Sequence, residues 1–127
     1  GVAEGKSIPG DVTFQVPVNL TRLSPYVSKV AVTCTFGLGL RTELTNRVEI
    51  PVSAGQVVTT AAVVVAVPAY PEYKAGQSLN YECNLTALSS EPGTSSDSDW
   101  QSFDPKAIGD SLHISPTPLP ITGSFVW

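Results

Sequence analysis

Two short segments, each containing one of the chain's only two cysteines, constrain this 127-residue sequence most strongly. Residues 30–36 read Val-Ala-Val-Thr-Cys-Thr-Phe, and residues 79–85 read Leu-Asn-Tyr-Glu-Cys-Asn-Leu. Successive side chains of a strand point to opposite faces, so the apolar residues and the cysteine of each segment share one face. The alternation predicts two half-buried strands with Cys34 and Cys83 pointing inward. We interpret these cysteines as one disulfide between two sheets.

The charge balance excludes some classes of partner. Eleven acidic and seven basic residues give a net charge of −4, and the basic residues are scattered along the chain, which argues against a nucleic-acid surface. No apolar run approaches the ~20 residues that a membrane-spanning helix needs. We therefore expect no nucleic-acid partner and no membrane span.

The cysteines also bear on compartment and cofactors. Paired cysteines in strands fit an oxidising compartment better than the cytosol. The chain starts at Gly1 and contains no methionine, which favours removal of a secretory signal peptide. There is no Cys-x-x-Cys motif and only one histidine, so neither a metal nor another cofactor is expected. These features predict a secreted, extracellular protein.

Alternating apolar residues predict an all-β domain of about seven antiparallel strands. We expect residues 1–11 to form a polar, extended N-terminal arm and residues 12–127 to form a single domain, in which 89–106 is a long polar loop. Pro17 lies on the outward face of the first strand and cannot donate to a ladder, so this strand should be at an edge or carry a bulge. The number and spacing of the strands predict a Greek-key β-sandwich.

One predicted strand, residues 57–67, is apolar on both faces. Its second face consists of Val58, Thr60, Ala62, Val64 and Ala66. A sandwich strand normally shows one face to water, and a bare, uncharged, β-branched strand invites aggregation. We expect this second face to be covered, either by a loop of the same chain or by another subunit.

The stretch Gly-Gln-Ser-Leu-Asn-Tyr-Glu-Cys at 76–83, preceded by Cys34, resembles the immunoglobulin-like fold. In that family a tyrosine two residues before the second cysteine closes a corner, and the disulfide joins the two sheets. The resemblance assigns the corner to Tyr81 and the bridge to Cys34 and Cys83. Antibody domains also carry a tryptophan after the first cysteine, which residues 37–53 lack. The chain thus resembles a divergent immunoglobulin-like module of microbial or viral surface and fibre proteins.

The acidic loop around residue 97 is a candidate ligand site. Asp97 and Asp99 offer oxygen ligands to calcium, but the loop at 97–104 lacks the glycine and distal glutamate of an EF-hand. We favour a solvated loop. Trp100 and Phe103 form either a stacking platform for a sugar or a plug at the end of the sandwich, and we favour the plug.

Other motifs carry little chemistry. The only histidine, His113, lies in a short predicted strand, and the sequence has no Gly-x-Ser-x-Gly elbow, so no catalytic residue and no enzymatic activity are expected. Asn19 and Asn84 begin glycosylation sequons, of which roughly one is expected by chance.

These features favour a non-enzymatic extracellular structural subunit that self-assembles or decorates a larger assembly, such as a pilus-like fibre, a surface layer or a virion. The apolar second face of residues 57–67, the low charge and the arm support this interpretation, and the expected partner is a homo-oligomer or larger protein assembly. The alternative is a monomeric adhesion or binding module for carbohydrate or a protein receptor, with Trp100 and Phe103 as contacts.

Overall fold

The computed structural model describes residues 10–38, 43–68, 73–89, 100–102, 113–114 and 121–127. Its strands are β1 (Gly10–Thr21), β2 (Val27–Gly37), β3 (Leu44–Pro51), β4 (Val57–Val67), β5 (Ser78–Ser89), β6 (Trp100–Ser102), β7 (His113–Ile114) and β8 (Ile121–Val126). Among the described residues, six strands have six residues or more, and β6 and β7 are shorter. That part of the chain contains no helix able to cross a membrane.

The strands form two antiparallel sheets. The smaller sheet has the order β4-β1-β7, and the larger has the order β3-β2-β5-β6, with β8 also paired to β5. β5 is long enough to hold both short partners on one edge, since β8 pairs with residues 78–83 and β6 with residues 86–88. The predicted all-β class is confirmed.

The inner faces of the two sheets share one hydrophobic core. Apolar side chains alternate inward along β1, β2, β4 and β5, as the period-two pattern predicts. Phe14 of the smaller sheet has its ring centroid 5.8 Å from that of Phe36 and 5.3 Å from that of Tyr81, both in the larger sheet. Burying an apolar side chain of this size contributes about 1.5–3 kcal/mol to the free energy of folding. Burial of the shared core is therefore the main interaction that holds the two sheets together.

Cys34 and Cys83 form a disulfide, as predicted, but it does not join the two sheets. The two residues face each other on β2 and β5, which are neighbours in the larger sheet, with Cα atoms 4.1 Å apart. The prediction of an inter-sheet bridge was therefore wrong. Alternation shows that both cysteines point inward, but two cysteines on the same face of one sheet satisfy it equally well. The bond is compatible with an extracellular or otherwise oxidising location.

Two predicted boundaries differ from the structure. β1 begins at Gly10, inside the predicted arm 1–11, and residues 1–9 lie outside the described residues. Trp100–Ser102 forms a strand within the predicted loop 89–106 because it pairs with the edge of β5. Such a short strand depends on a distant partner, and local composition does not reveal it.

A tight turn carries the chain from the larger sheet to the smaller one. Ser53 and Gln56 exchange backbone hydrogen bonds of 3.2 and 3.1 Å. Between them Ala54 and Gly55 have φ values of 54° and 70°, and positive φ at both central positions is typical of a type I′ turn. β3 and β4 thus start as a hairpin and then belong to different sheets.

Candidate functional site

The outer face of the smaller sheet carries the five residues that the sequence predicts as an interface. Val58, Thr60, Ala62, Val64 and Ala66 are all exposed on β4, whereas most of the alternate residues are buried. Val58 is 61% exposed and Val64 is 41% exposed, which is high for large apolar side chains. Within the described residues, no loop covers this face.

The neighbouring strand extends this surface. On β1, Thr13 lies opposite Val64, Gln15 opposite Ala62, Pro17 opposite Thr60 and Asn19 opposite Val58. These β1 residues, together with the five exposed residues of β4, form a surface that we call the neutral face. None of its side chains is charged, and the nearest charge in the same rows is Asp11, opposite Ala66.

Neither long edge of the smaller sheet is a good template for a further strand. At the β4 edge, Asn46 of β3 donates its side-chain Nδ2 to the Val64 carbonyl at 2.7 Å. The Val64 carbonyl points away from β1, toward Asn46, and backbone groups alternate in direction along a strand, so those of Thr60 also point away from β1. Pro17 lies opposite Thr60, and its nitrogen therefore points away from β4, toward the other edge of β1. Proline has no N–H to offer there. Among the described residues, the neutral face is therefore a better surface for a partner than either of these edges.

The outer face of the larger sheet is charged and aromatic. The Arg47 guanidinium lies over the Trp100 ring, 4.5 Å from its centroid, and forms an ion pair of 2.8 Å with Glu49. Lys29 lies 3.5 Å from the same carboxylate. The hydrogen bond from Arg47 lowers the pKa of the exposed Glu49 carboxyl. Arg47 in β3 and Trp100 in β6 flank β2 and β5, so their contact spans the sheet.

Trp100 is the one residue of the predicted ligand loop that the structure describes. Asp97, Asp99 and Phe103 lie outside the described residues. Trp100 contacts Arg47 on the outer face and lies opposite Leu88, near the C-terminal end of β5, and the plug stays a prediction. Trp127 is buried in the core, 3% exposed and 5.4 Å from Tyr73 between ring centroids.

Tyr81, the predicted corner residue, lies in β5 opposite Gly123 of β8. Its ring lies against this glycine, because a Cβ built on Gly123 would be 2.6 Å from the Tyr81 hydroxyl. The same ring contacts Phe14 of the smaller sheet. Tyr81 therefore joins β8 to the core, and its role as a corner residue stays a prediction.

The remaining motif residues lie on strands. The backbone of His113, in β7, pairs with that of Thr21, in β1. The side chain of His113 is not among those described. Asn19 is half-buried and Asn84 is exposed, and both have outward positions on their strands.

Comparison with known proteins identifies no relative. The sequence matches no protein-family model, and neither curated proteins nor solved structures give a significant match. The immunoglobulin-like assignment therefore still rests on the sequence resemblance.

Proposed function

We propose that the chain is a non-enzymatic structural subunit of an extracellular assembly, and that it associates through its neutral face with the neutral face of a second copy. The observation that carries this proposal is that all five residues of the outer row of β4 are exposed, including Val58 at 61% and Val64 at 41%. A β-branched, uncharged strand left in water is a liability that natural proteins normally cover.

The distribution of charge makes the neutral face the surface at which a second copy can bind. The chain has a net charge of −4, so two copies repel each other over most of their surface. The neutral face brings no like charges together, and its side chains are mostly small, which lets two sheets approach closely. Packing of identical faces is the isologous contact of a two-fold dimer.

The size of the face sets the strength of the contact. A strand of 11 residues extends roughly 36 Å at ~3.3 Å per residue, and two strands are roughly 10 Å wide. The product, about 360 Å², is below the ~800 Å² that each partner contributes to a standard interface. One such two-fold contact is therefore weak, and an assembly of many copies needs further contacts at other surfaces that act together with it.

We also propose that the chain is a divergent immunoglobulin-like Greek-key sandwich, secreted and used in a fibre, a surface layer or a virion. Two sheets, a disulfide and Tyr81 two residues before Cys83 support this class. The placement of both cysteines in one sheet distinguishes the chain from the antibody pattern.

Sedimentation velocity over a wide concentration range tests the proposal. We expect the weight-average mass to rise with concentration, and Ala62→Lys and Val58→Lys to abolish the rise, because the first places a charge at the centre of the contact and the second at one end of it. Val126→Lys is the matched control, since Val126 is 54% exposed but lies on the larger sheet. A mass that stays monomeric at every concentration, or an equal effect of all three variants, contradicts the proposal.

A further inference from the structure

A polar groove opens on the outer face of the larger sheet, where β8 pairs with β5. Its volume is about 620 Å³, within the ~300–1,000 Å³ of small-molecule sites. Six polar side chains line it: Thr35, Glu43, Asn80, Glu82, Thr122 and Ser124. Tyr81 and Gly123 complete the lining, while the Tyr81 ring packs against Phe14 in the core.

The strand register places these polar groups in rows. Thr35 lies opposite Glu82, and Glu82 lies opposite Thr122, so a carboxylate stands between two hydroxyls on three adjacent strands. Asn80 and Ser124 form the next row. Neighbouring strands are ~4.8 Å apart, and paired strands hold their side chains more rigidly than loops do. The groove is therefore preorganised for a ligand with several hydrogen-bonding groups.

We propose that the polar groove binds a neutral oligosaccharide. Carboxylate and amide oxygens accept hydrogen bonds from sugar hydroxyls, and threonine and serine hydroxyls both donate and accept them. The lining has no lysine or arginine, while Glu43 and Glu82 are both acidic, so an anionic ligand is disfavoured. It also has no aliphatic side chain, so an apolar ligand finds little surface to bury.

The oxygen-rich lining raises the question of a hard cation. Calcium requires six to eight oxygen ligands, including carboxylates. The part of the chain that the structure describes brings no three His, Cys, Asp or Glu residues together for a metal. Two carboxylates among neutral hydroxyls and an amide suit a polyol better.

The groove is separate from the other surfaces. Trp100 lies opposite Leu88, six residues along β5 from Glu82, which is roughly 20 Å at ~3.3 Å per residue. The neutral face is on the other sheet. Binding in the groove therefore does not depend on self-association. The variant Trp100→Ala distinguishes a sugar site in the groove, which it leaves intact, from a sugar site on the Trp100 ring, which it removes.

Saturation-transfer NMR on the full, oxidised chain tests the inference. The probes are neutral trisaccharides of glucose, mannose and N-acetylglucosamine, with a galacturonic acid trimer as the anionic comparison. We expect transfer to at least one neutral probe and none to the anionic trimer. Glu82→Ala should weaken binding about tenfold or more, because hydrogen bonds to a charged group are lost.

Matched variants locate the site. Glu49→Ala removes a carboxylate from the same outer face but outside the groove, and it should leave binding unchanged, as should Trp100→Ala. Amide spectra of each variant verify the fold. Transfer to no neutral probe, equal binding by Glu82→Ala and the parent chain, or loss only in Trp100→Ala overturns the inference. Amide shifts at the groove with calcium chloride, and none with the sugars, overturn it as well.

Discussion

Asn46 of β3 donates its side-chain Nδ2 to the backbone carbonyl of Val64 in β4 at 2.7 Å, and this bond joins the edge of the larger sheet to the edge of the smaller one. Asn46 lies opposite Cys34, on the side of β3 that otherwise carries apolar residues. A polar residue there makes sense because it spans the gap between two sheets that diverge after the Ser53–Gln56 turn. The disulfide cannot serve this purpose, since both of its cysteines lie in the larger sheet.

Asn46→Ala should lower the free energy of unfolding by about 1–2 kcal/mol, because the variant loses the bond to the Val64 carbonyl and the one that its Oδ1 accepts from the backbone N–H of Arg47, both at a solvent-accessible edge. Urea unfolding measures the loss. Asn84→Ala is the control, since Asn84 is exposed on the outer face of β5 and surface substitutions usually change stability by less than ~0.5 kcal/mol. Equal stability of the two variants would show that the Asn46 bond does not hold the sheets.

The faces of the strands could be predicted from the sequence, but their partners could not. Alternation alone places Val58 and Val64 outward on β4, which the structure confirms. It also places Cys34 and Cys83 inward, yet it does not show which strand lies beside which. The prediction that their disulfide joins the two sheets was wrong for that reason. Pairing is a long-range property, fixed by the packing of whole sheets.

The same limit applies to the candidate sites. The neutral face follows largely from one continuous segment of sequence, so the pattern of residues 57–67 reveals much of it. The polar groove depends on Thr35, Glu82 and Thr122, which come from three strands far apart in the chain. No local motif connects them, and only the register of β2, β5 and β8 brings them together.

Reduction of the disulfide should weaken the fold without abolishing it. Cys34 and Cys83 are 49 positions apart, and closing a loop of that length stabilises the folded state by about 4 kcal/mol in the loop-closure model. Small domains are stable by ~5–15 kcal/mol, and the shared hydrophobic core and the strand pairing of both sheets stabilise the fold in addition to the bond. We expect far-UV circular dichroism to stay that of a β protein in water while the urea midpoint falls.

The double variant Cys34→Ala, Cys83→Ala is the control for this reduction experiment. Its unfolding curve should not respond to the reductant, so any residual response reports another effect of the reagent. An unchanged midpoint in the parent chain after complete reduction, verified by thiol titration, contradicts the expected stabilisation.

Tyr73 should make the fold sensitive to alkaline pH. Its side chain is 1% exposed and packs against Phe36 and Trp127. Burial, and secondarily the Glu43 carboxylate, raise the pKa of the phenol above its ordinary value of about 10. The folded state therefore holds this proton more tightly than the unfolded state, and stability is fully present below pH ~10 and falls as the pH rises above it.

Urea unfolding between pH 8 and about 12 measures this alkaline slope. Tyr73→Phe cannot ionise at this position and should reduce the slope, while Glu43→Gln should reduce it by a smaller amount because burial remains. An identical slope in the parent chain and Tyr73→Phe would assign the alkaline loss to other groups.

Gly123→Ala should destabilise the protein through a clash with Tyr81. A Cβ at position 123 would lie 2.6 Å from the tyrosine oxygen, 2.7 Å from Cζ and 2.8 Å from Cε2. The ring cannot turn away freely because it packs against Phe14 and Phe125 in the core. Overpacking of this kind costs about 1–3 kcal/mol. Gly10→Ala is the matched control, since Gly10 is also in a strand and its Cβ would meet nothing within 4 Å.

A double-mutant cycle identifies the clash as the cause. Tyr81→Phe should not rescue Gly123→Ala, because Cζ and Cε2 remain too close to the new methyl group. Tyr81→Ala removes the ring and is itself destabilising, but in that background Gly123→Ala should be nearly neutral, which gives a coupling energy of about 1–3 kcal/mol. Additive effects in chemical denaturation would show that Gly123 is required for its backbone and not for the space that Tyr81 occupies.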